Sequence, residues 1–200
     1  ILAIGQLTNL AELLTQHPEV KPKIAKIVSM GGALDVKGNL QEMLKTTNTT
    51  AEWNIYIDPK AANIVFGSGV PIALVPLDAT NQLPLRDAFV QRLSTETTTP
   101  AGHLVRDIVK RIRPLMKNNP FCFWDPVTTI LALRPALGTW QRRKVVVVED
   151  ASDEAGRVKD DDNGAAIDVC VAVDRDGFED AFIAGLNGRG GSHVGEFSKM

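Results

Sequence analysis

The stretch Ile24-Ala25-Lys26-Ile27-Val28-Ser29-Met30-Gly31-Gly32 decides the fold class of this chain. Its apolar residues run without a break into paired glycines, the pattern of a buried strand that delivers the backbone to a tight loop. Val70-Pro71-Ile72-Ala73-Leu74-Val75 reads as a second buried strand. Between the two, Asp58-Pro59 is an Asp cap followed by Pro at the first helical position, and Ala61, Ala62, Ile64 and Val65 supply the apolar face of a helix up to Gly67. Upstream, Ile1-Leu2-Ala3-Ile4-Gly5 looks like the end of a strand running into a turn. Leu7, Leu10, Leu13 and Leu14 then recur at helical spacing, with Thr8 or Asn9 able to cap and Pro18 closing the run. Strands and helices therefore alternate. The fold class expected is α/β, a mainly parallel sheet flanked by helices.

The remainder of the chain extends the pattern. Helices are expected over Arg86 to Leu93, over Gly102 to Lys117 and over Phe178 to Leu186, and β-branched strands over Lys144 to Val148 and Ile167 to Val173. Asp125-Pro126 repeats the cap-plus-Pro signature before Val127 to Leu133. The acidic segment from Glu149 to Asp162 reads as a solvated hairpin or loop rather than a metal site. Residues 1–200 are read as a single domain. The apolar start without an initiator Met leads us to expect the C-terminal portion of a longer domain.

Composition narrows the function. With 22 basic residues against 24 acidic ones in 200 residues, and no long run of either sign, the chain lacks the cationic stripe that tracks phosphates. Nucleic acid is excluded as the expected partner. No stretch has the roughly 20 apolar residues of a membrane span, and Ile1 to Ile4 lack the basic flank of a signal peptide. The chain reads as cytoplasmic. Cys122 and Cys170 are too few for a disulfide framework and read as reduced core residues.

Ligands of such sheets sit beyond the carboxyl ends of the strands, which directs attention to Gly5, to the long loop from Gly31 to about Trp53, and to Leu77 to Thr80. Three constellations lie there or nearby. In Ala51-Glu52-Trp53-Asn54, an extended backbone would send Glu52 and Asn54 to one side and Trp53 to the other. A carboxylate acceptor plus an amide suits a polyhydroxylated ligand such as a sugar, and the Trp offers a packing face; a capped loop with a core Trp explains the same residues. In Phe121-Cys122-Phe123-Trp124-Asp125-Pro126 an acid follows an aromatic cluster, and an N-cap role accounts for Asp125. Met30-Gly31-Gly32 fits a simple turn at least as well as a phosphate loop.

In this order and spacing the segments resemble the nucleoside hydrolase family, the calcium-dependent N-ribohydrolases of the inosine-uridine-preferring type. The matching stretches are Gly5-Gln6-Leu7-Thr8-Asn9-Leu10-Ala11, Ile27 to Ala33, Gly38-Asn39, Ala51 to Pro59, Val75-Pro76-Leu77-Asp78-Ala79-Thr80 and Trp124-Asp125-Pro126. The resemblance implies a Rossmann-like nucleoside hydrolase fold and hydrolysis of the N-glycosidic bond of ribonucleosides, a purine and pyrimidine salvage reaction. It implies calcium held in part by Asp125 and the carbonyl of Ile4, gripping the ribose 2′- and 3′-hydroxyls and activating the attacking water. It places Asn39, Glu52 and Asn54 on those hydroxyls and Met30 against the sugar, with Trp53 and Trp124 as further substrate contacts. Family members commonly form dimers or tetramers, so a homo-oligomer, or association with a missing N-terminal polypeptide, is expected.

Two departures stand out. The family's N-terminal acidic motif, D-x-D followed by three residues and D-D, supplies the general base and most calcium carboxylates, and it is absent from residues 1–200. Asp125 and one carbonyl fall far short of the roughly 6 to 8 oxygens calcium takes. Trp124 stands where many purine-active members place a His that protonates the leaving base, and an indole N–H does not ionise at useful pH. His17, His103 and His193 read as surface histidines. The leading function is a nucleoside N-ribohydrolase; the alternative is a non-catalytic sugar- or nucleoside-binding or interaction module on the same scaffold. A general Rossmann nucleotide binder is disfavoured because no G-x-G-x-x-G follows a strand.

Overall fold

A computed structural model of the chain describes residues 1–116 and 121–189. They divide into two compact units, Ile1–Ala79 with Thr139–Ala172, and the described residues of Thr80–Gly138 and Val173–Met200. In chain order the elements are β1 (Leu2–Ala3), α1 (Thr8–Gln16), β2 (Ile27–Met30), α2 (Trp53–Ile57), α3 (Pro59–Phe66), β3 (Ile72–Val75), α4 (Leu77–Thr80), α5 (Asp87–Glu96), α6 (Pro100–Ile112), α7 (Trp124–Leu133), β4 (Gly138–Val147), β5 (Val158–Asp160), β6 (Ala165–Val173) and α8 (Arg175–Leu186).

The first unit carries the sheet, in the order β1-β2-β3-β6-β4-β5. From β1 to β6 the pairs are parallel, with Leu2 opposite Val28, Val28 opposite Ala73, and Ala73 opposite Asp168. Strands β4 and β5 form an antiparallel hairpin that pairs Val145 with Asp160 and Val147 with Val158. Every residue of β2 and β3 is buried, which is why both read as continuous apolar runs rather than alternating ones. Helices α1 and α3 contribute Leu14, Val65 and Phe66 to a core shared with Ile27, Ile72 and Leu74.

Local signals account for several boundaries. Asp58 caps α3 by accepting from the Ala61 amide at 2.9 Å, with Pro59 opening the helix. The expected cap of α1 is replaced: Leu7 holds that position and makes no side-chain bond. The Thr8 hydroxyl instead donates to Asp58 Oδ2 at 2.7 Å, tying α1 to α3. The acidic segment forms the turn and return strand of the β4–β5 hairpin, and its Asp160 pairs with Arg143.

The second unit is helical. Phe89, Phe123, Phe178 and Phe182 stack in edge and tilted pairs with centroids 5.3–5.9 Å apart. Arg86 and Arg92 both reach the buried carboxylate of Glu179. Helix α6 begins at Pro100, ahead of the expected Gly102, because Thr99 accepts from the Gly102 amide as its cap. It ends at Ile112 and runs into a 3-10 turn over Arg113–Met116; the expected end at Lys117 lies outside the described residues. The N-cap role expected of Asp125 is also corrected. Phe123 is the cap of α7 and Asp125 sits inside its first turn, because the bridge of Cys122 to Pro84 and the Phe123 amide on Leu83 O hold residues 121–123 extended up to the helix start.

Candidate active site

The carboxyl end of β2 is organised by one side chain. Glu52 is 2% exposed and caps α2, Oε1 accepting from the Asn54 amide at 3.0 Å and Oε2 from the Ile55 amide at 3.2 Å. Oε2 also accepts from the Gly32 amide at 2.9 Å. A single buried carboxylate thus joins the turn after β2 to the start of α2, and charge-assisted bonds of this kind are the stronger ones. The turn requires its glycines. Gly32 has φ +82°, and a side chain on Gly31 would press on Ile55 and Glu52 at 3.1–3.2 Å.

Around Glu52 the other expected residues assemble. Asn54 donates from Nδ2 to the Met30 carbonyl at 3.2 Å and approaches Met30 Sδ at 3.3 Å. Asn39 accepts from the Trp53 amide through Oδ1 at 2.9 Å, while its own amide donates to Ala51 O at 3.2 Å. Gly38 lies so close to Ala51 that any side chain there would overlap the Ala51 carbonyl. Trp53 is the first residue of α2 and Glu52, its cap, is extended, so the segment enters a helix and the extended backbone through Asn54 that would set Glu52 and Asn54 on one side does not form. Met30 is buried, and Trp53, Asn54 and Asn39 are half-buried. The side-chain Nδ2 of Asn39 and Oδ1 of Asn54 take up no bond among the described residues, leaving one donor and one acceptor beside a buried thioether. Ile4 stands one residue beyond the Ala3–Ser29 pair, at the same end of the sheet as Met30.

Sequence reasoning assigned no role to two residues that shape this region. Asp78, in the quoted Val75 to Thr80 segment, accepts from the Leu34 and Asp35 amides at 2.9 and 2.7 Å and anchors the exit from the glycine turn. Asn48, 3% exposed, accepts through Oδ1 from the Thr50 amide at 3.0 Å and the Ala51 amide at 3.1 Å.

Trp124 and Asp125 belong to the second unit. The Trp124 ring meets Phe121 edge-on at 5.0 Å, and its indole N–H is buried with no hydrogen-bond partner among the described residues. The Asp125 side chain is half-buried and has no partner among the described residues; burial alone pushes its carboxyl above the usual carboxylate range. A half-buried carboxylate without donor or counter-ion is a chemically suitable cation ligand. One carboxylate is not a site, however, and among the described residues no three His, Cys, Asp or Glu side chains are grouped to hold a metal ion. His17 is exposed and 3.2 Å from Glu19, and His103 is exposed on α6; His193 lies outside the described residues. No helix of the described residues is long and apolar enough to cross a membrane.

A family model described as inosine-uridine preferring nucleoside hydrolase matches residues 1–180. The chain belongs to this nucleoside hydrolase family. Over 190 residues it is 35% identical to the pyrimidine-specific ribonucleoside hydrolase RihA of Citrobacter koseri, an alignment that covers 90% of this chain and 58% of that protein. Among solved structures it is similar to a purine-preferring ribonucleoside hydrolase from Gardnerella vaginalis, with 30% identity, a TM-score of 0.79, and coverage of 94% of this chain and 60% of that one. It is likewise similar to an inosine-uridine preferring nucleoside hydrolase from Bacillus anthracis, with 28% identity, a TM-score of 0.77, and coverage of 93% and 58%. The α/β sheet is therefore a nucleoside hydrolase sheet, and the chain spans about 58% of the length of the curated relatives it matches.

Proposed function

We propose that this chain carries the sugar-recognition part of a nucleoside N-ribohydrolase, which splits a ribonucleoside and water into free base and ribose. The carrying observation is the Glu52-centred turn, which leaves the side-chain Nδ2 of Asn39 and Oδ1 of Asn54 open at the carboxyl end of β2 in a chain matched by the family model over residues 1–180. One donor and one acceptor on fixed backbone suit the hydroxyls of a pentose diol, with Met30 and Trp53 as apolar packing. Trp124 is the candidate contact for the base, through ring packing and its N–H, unpartnered among the described residues.

Cleavage passes through an oxocarbenium-like state as the bond from anomeric carbon to base nitrogen lengthens. Acceptors fixed beforehand near the ribose bind that cationic state better than the neutral nucleoside, and preorganisation by Glu52 means the loop need not rearrange at that moment. The family resemblance makes the Asp125 carboxylate of the second unit and, separately, the Ile4 carbonyl of the first candidate calcium ligands. When bound, calcium supplies a hard Lewis acid for the diol and for water. Its remaining oxygens and the general base are assigned to polypeptide outside residues 1–200, since the described residues hold no carboxylate cluster. The same observation favours one second reading, a sugar-binding module without catalysis.

The test is release of free base from inosine and uridine by this chain and by a version extended at its N-terminus with the D-x-D-x-x-x-D-D segment of a relative, with and without calcium. Calcium-dependent release by the extended protein, lost in Asp125→Ala and Asn54→Ala variants that keep their fold, supports the hydrolase. Calcium-independent ribose binding in calorimetry with no base released supports the module. Turnover within about threefold of the parent in both variants, under ~0.7 kcal/mol of barrier, overturns the site assignment.

A further inference from the structure

We propose that Asn48 and the turn of the β4–β5 hairpin form a brace that sets the backbone of residues 48–54 and thereby positions Asn39, Glu52 and Asn54. The inference rests on the reading of Asn39 and Asn54 as sugar contacts fixed in place by Glu52, and it assigns a role to the acidic hairpin that neither fold class nor chemistry has used.

The bonds run in a chain. Asn48 Oδ1 accepts from the Thr50 amide at 3.0 Å, the Ala51 amide at 3.1 Å and the Thr50 hydroxyl at 3.2 Å, folding the loop into a turn just ahead of Glu52. Its Nδ2 donates at 2.9 Å to the carbonyl of Ala155, 107 residues away in the hairpin turn. Next to it the Thr47 hydroxyl donates to Asp153 Oδ1 at 2.7 Å. The same turn touches α2. Gly156 has φ +80°, and a side chain there would come within 2.7 Å of Tyr56 Cα. The hairpin is itself held at its base by Asn63 of α3, which donates to Val147 O at 2.7 Å and accepts from the Val147 amide at 2.8 Å. Rigid support thus passes from α3 through the hairpin to Asn48, and from Asn48 to Ala51.

Ala51 is where this support reaches the site. Its carbonyl accepts from the Asn39 amide at 3.2 Å, and Asn39 in turn accepts from the Trp53 amide. Displacing Ala51 therefore moves Asn39 and the Glu52 cap together. Asn48 touches no reacting group in this scheme and is a positioning residue. A buried amide with donor and acceptor both used is costly to disturb, so the loop has one strongly preferred geometry.

Backbone amide hydrogen exchange on the whole chain tests this, comparing the parent with Asn48→Ala, Asp153→Ala and Gly156→Ala. Asp153→Ala alters the hairpin alone, whereas Gly156→Ala also presses the hairpin turn against Tyr56 of α2. The brace predicts at least tenfold faster exchange at Gly32, Asn39, Ala51 and Trp53 in Asn48→Ala and Gly156→Ala, and a smaller rise at the same amides in Asp153→Ala. Amides of β2 and β3 keep their parental rates. If the hairpin variants leave the 48–54 amides unchanged, the brace is overturned; if they accelerate the whole sheet equally, the effect is global destabilisation and the brace is likewise overturned. Isothermal titration with inosine and uridine then separates the two readings. Weaker binding in Asp153→Ala by at least threefold at an unchanged melting temperature supports positioning, whereas exchange that rises while binding is unaltered overturns it. Failure of the parent to bind either nucleoside in any state removes the proposed function, and with it the positioning role, while exchange alone still reports whether the hairpin holds the loop.

Discussion

Glu52 in the first unit and Asp125 in the second are carboxylates of the same family motifs placed in opposite circumstances. Glu52 is almost fully buried, and backbone amides from the glycine turn and from α2 point at its oxygens. Asp125 is half-buried and has no donor among the described residues, and burial raises its pKa. Glu52 ties the glycine turn to α2, whereas the Asp125 carboxylate takes up no hydrogen bond among the described residues. What a buried carboxylate does is thus set by the donors around it in space rather than by its sequence neighbours.

The comparison breaks first at Glu52. Glu52→Ala leaves buried amides without an acceptor, and hydrogen bonds to a charged group contribute about 1.5–3 kcal/mol each. We expect a loss of roughly 3 kcal/mol or more, measured as a lower urea midpoint at an unchanged slope. A variant within about 0.5 kcal/mol of the parent would remove Glu52 as the organiser of the turn. Asp125→Asn is expected to do the reverse. Its folded-state pKa is raised, so the charged form is disfavoured in the folded protein at neutral pH, and the neutral amide leaves stability equal or slightly higher. In the extended protein the same change is expected to lower base release by at least about 100-fold, about 2.7 kcal/mol of barrier.

Cys170 extends the contrast to a thiol. Burial pushes it up to about 12, so almost no thiolate exists at neutral pH. Labelling of Cys170 by a disulfide reagent is expected only after unfolding; rapid labelling of the native protein would show that the β6 core opens. The smallest effect belongs to Asp160, whose carboxyl the Arg143 guanidinium holds below the usual range. A depressed folded-state pKa contributes stability above the ordinary carboxylate pKa and loses it as pH falls through the lowered value. The melting difference between parent and Asp160→Asn should be small near about pH 6 and vanish near about pH 2. A difference that grows on acidification would contradict the pairing.

Much of the sheet was legible because β2 and β3 are buried on both faces, and continuous apolar runs ending in Gly31-Gly32 leave few other solutions. Asp58-Pro59 marked the start of α3 because cap and proline act within one turn. The 51–54 segment misled for the opposite reason. Glu is not among the favoured caps, and its acceptor role depends on Gly32, twenty residues upstream. Asp125 misled because residues 121–123 are held by Leu83, Pro84 and Leu85, so α7 begins before the expected cap. Asn48 carried no readable signal at all, since its partner Ala155 is 107 positions away.

The α/β class and the parallel strands at its centre were set by the sequence alone, because periodicity and capping act over a few residues, and the resemblance to nucleoside hydrolases pointed to Asn39, Glu52, Asn54 and Asp125. The long-range contacts came from the tertiary structure: Glu52 accepts from backbone amides of two segments, Asp125 has no donor among the described residues, and the turn of the acidic hairpin hydrogen-bonds Thr47 and Asn48 of the loop before α2. Those outcomes depend on which groups meet across 20 to 107 residues of chain. Hydrogen bonding and desolvation are set by spatial neighbours, and no local pattern names them.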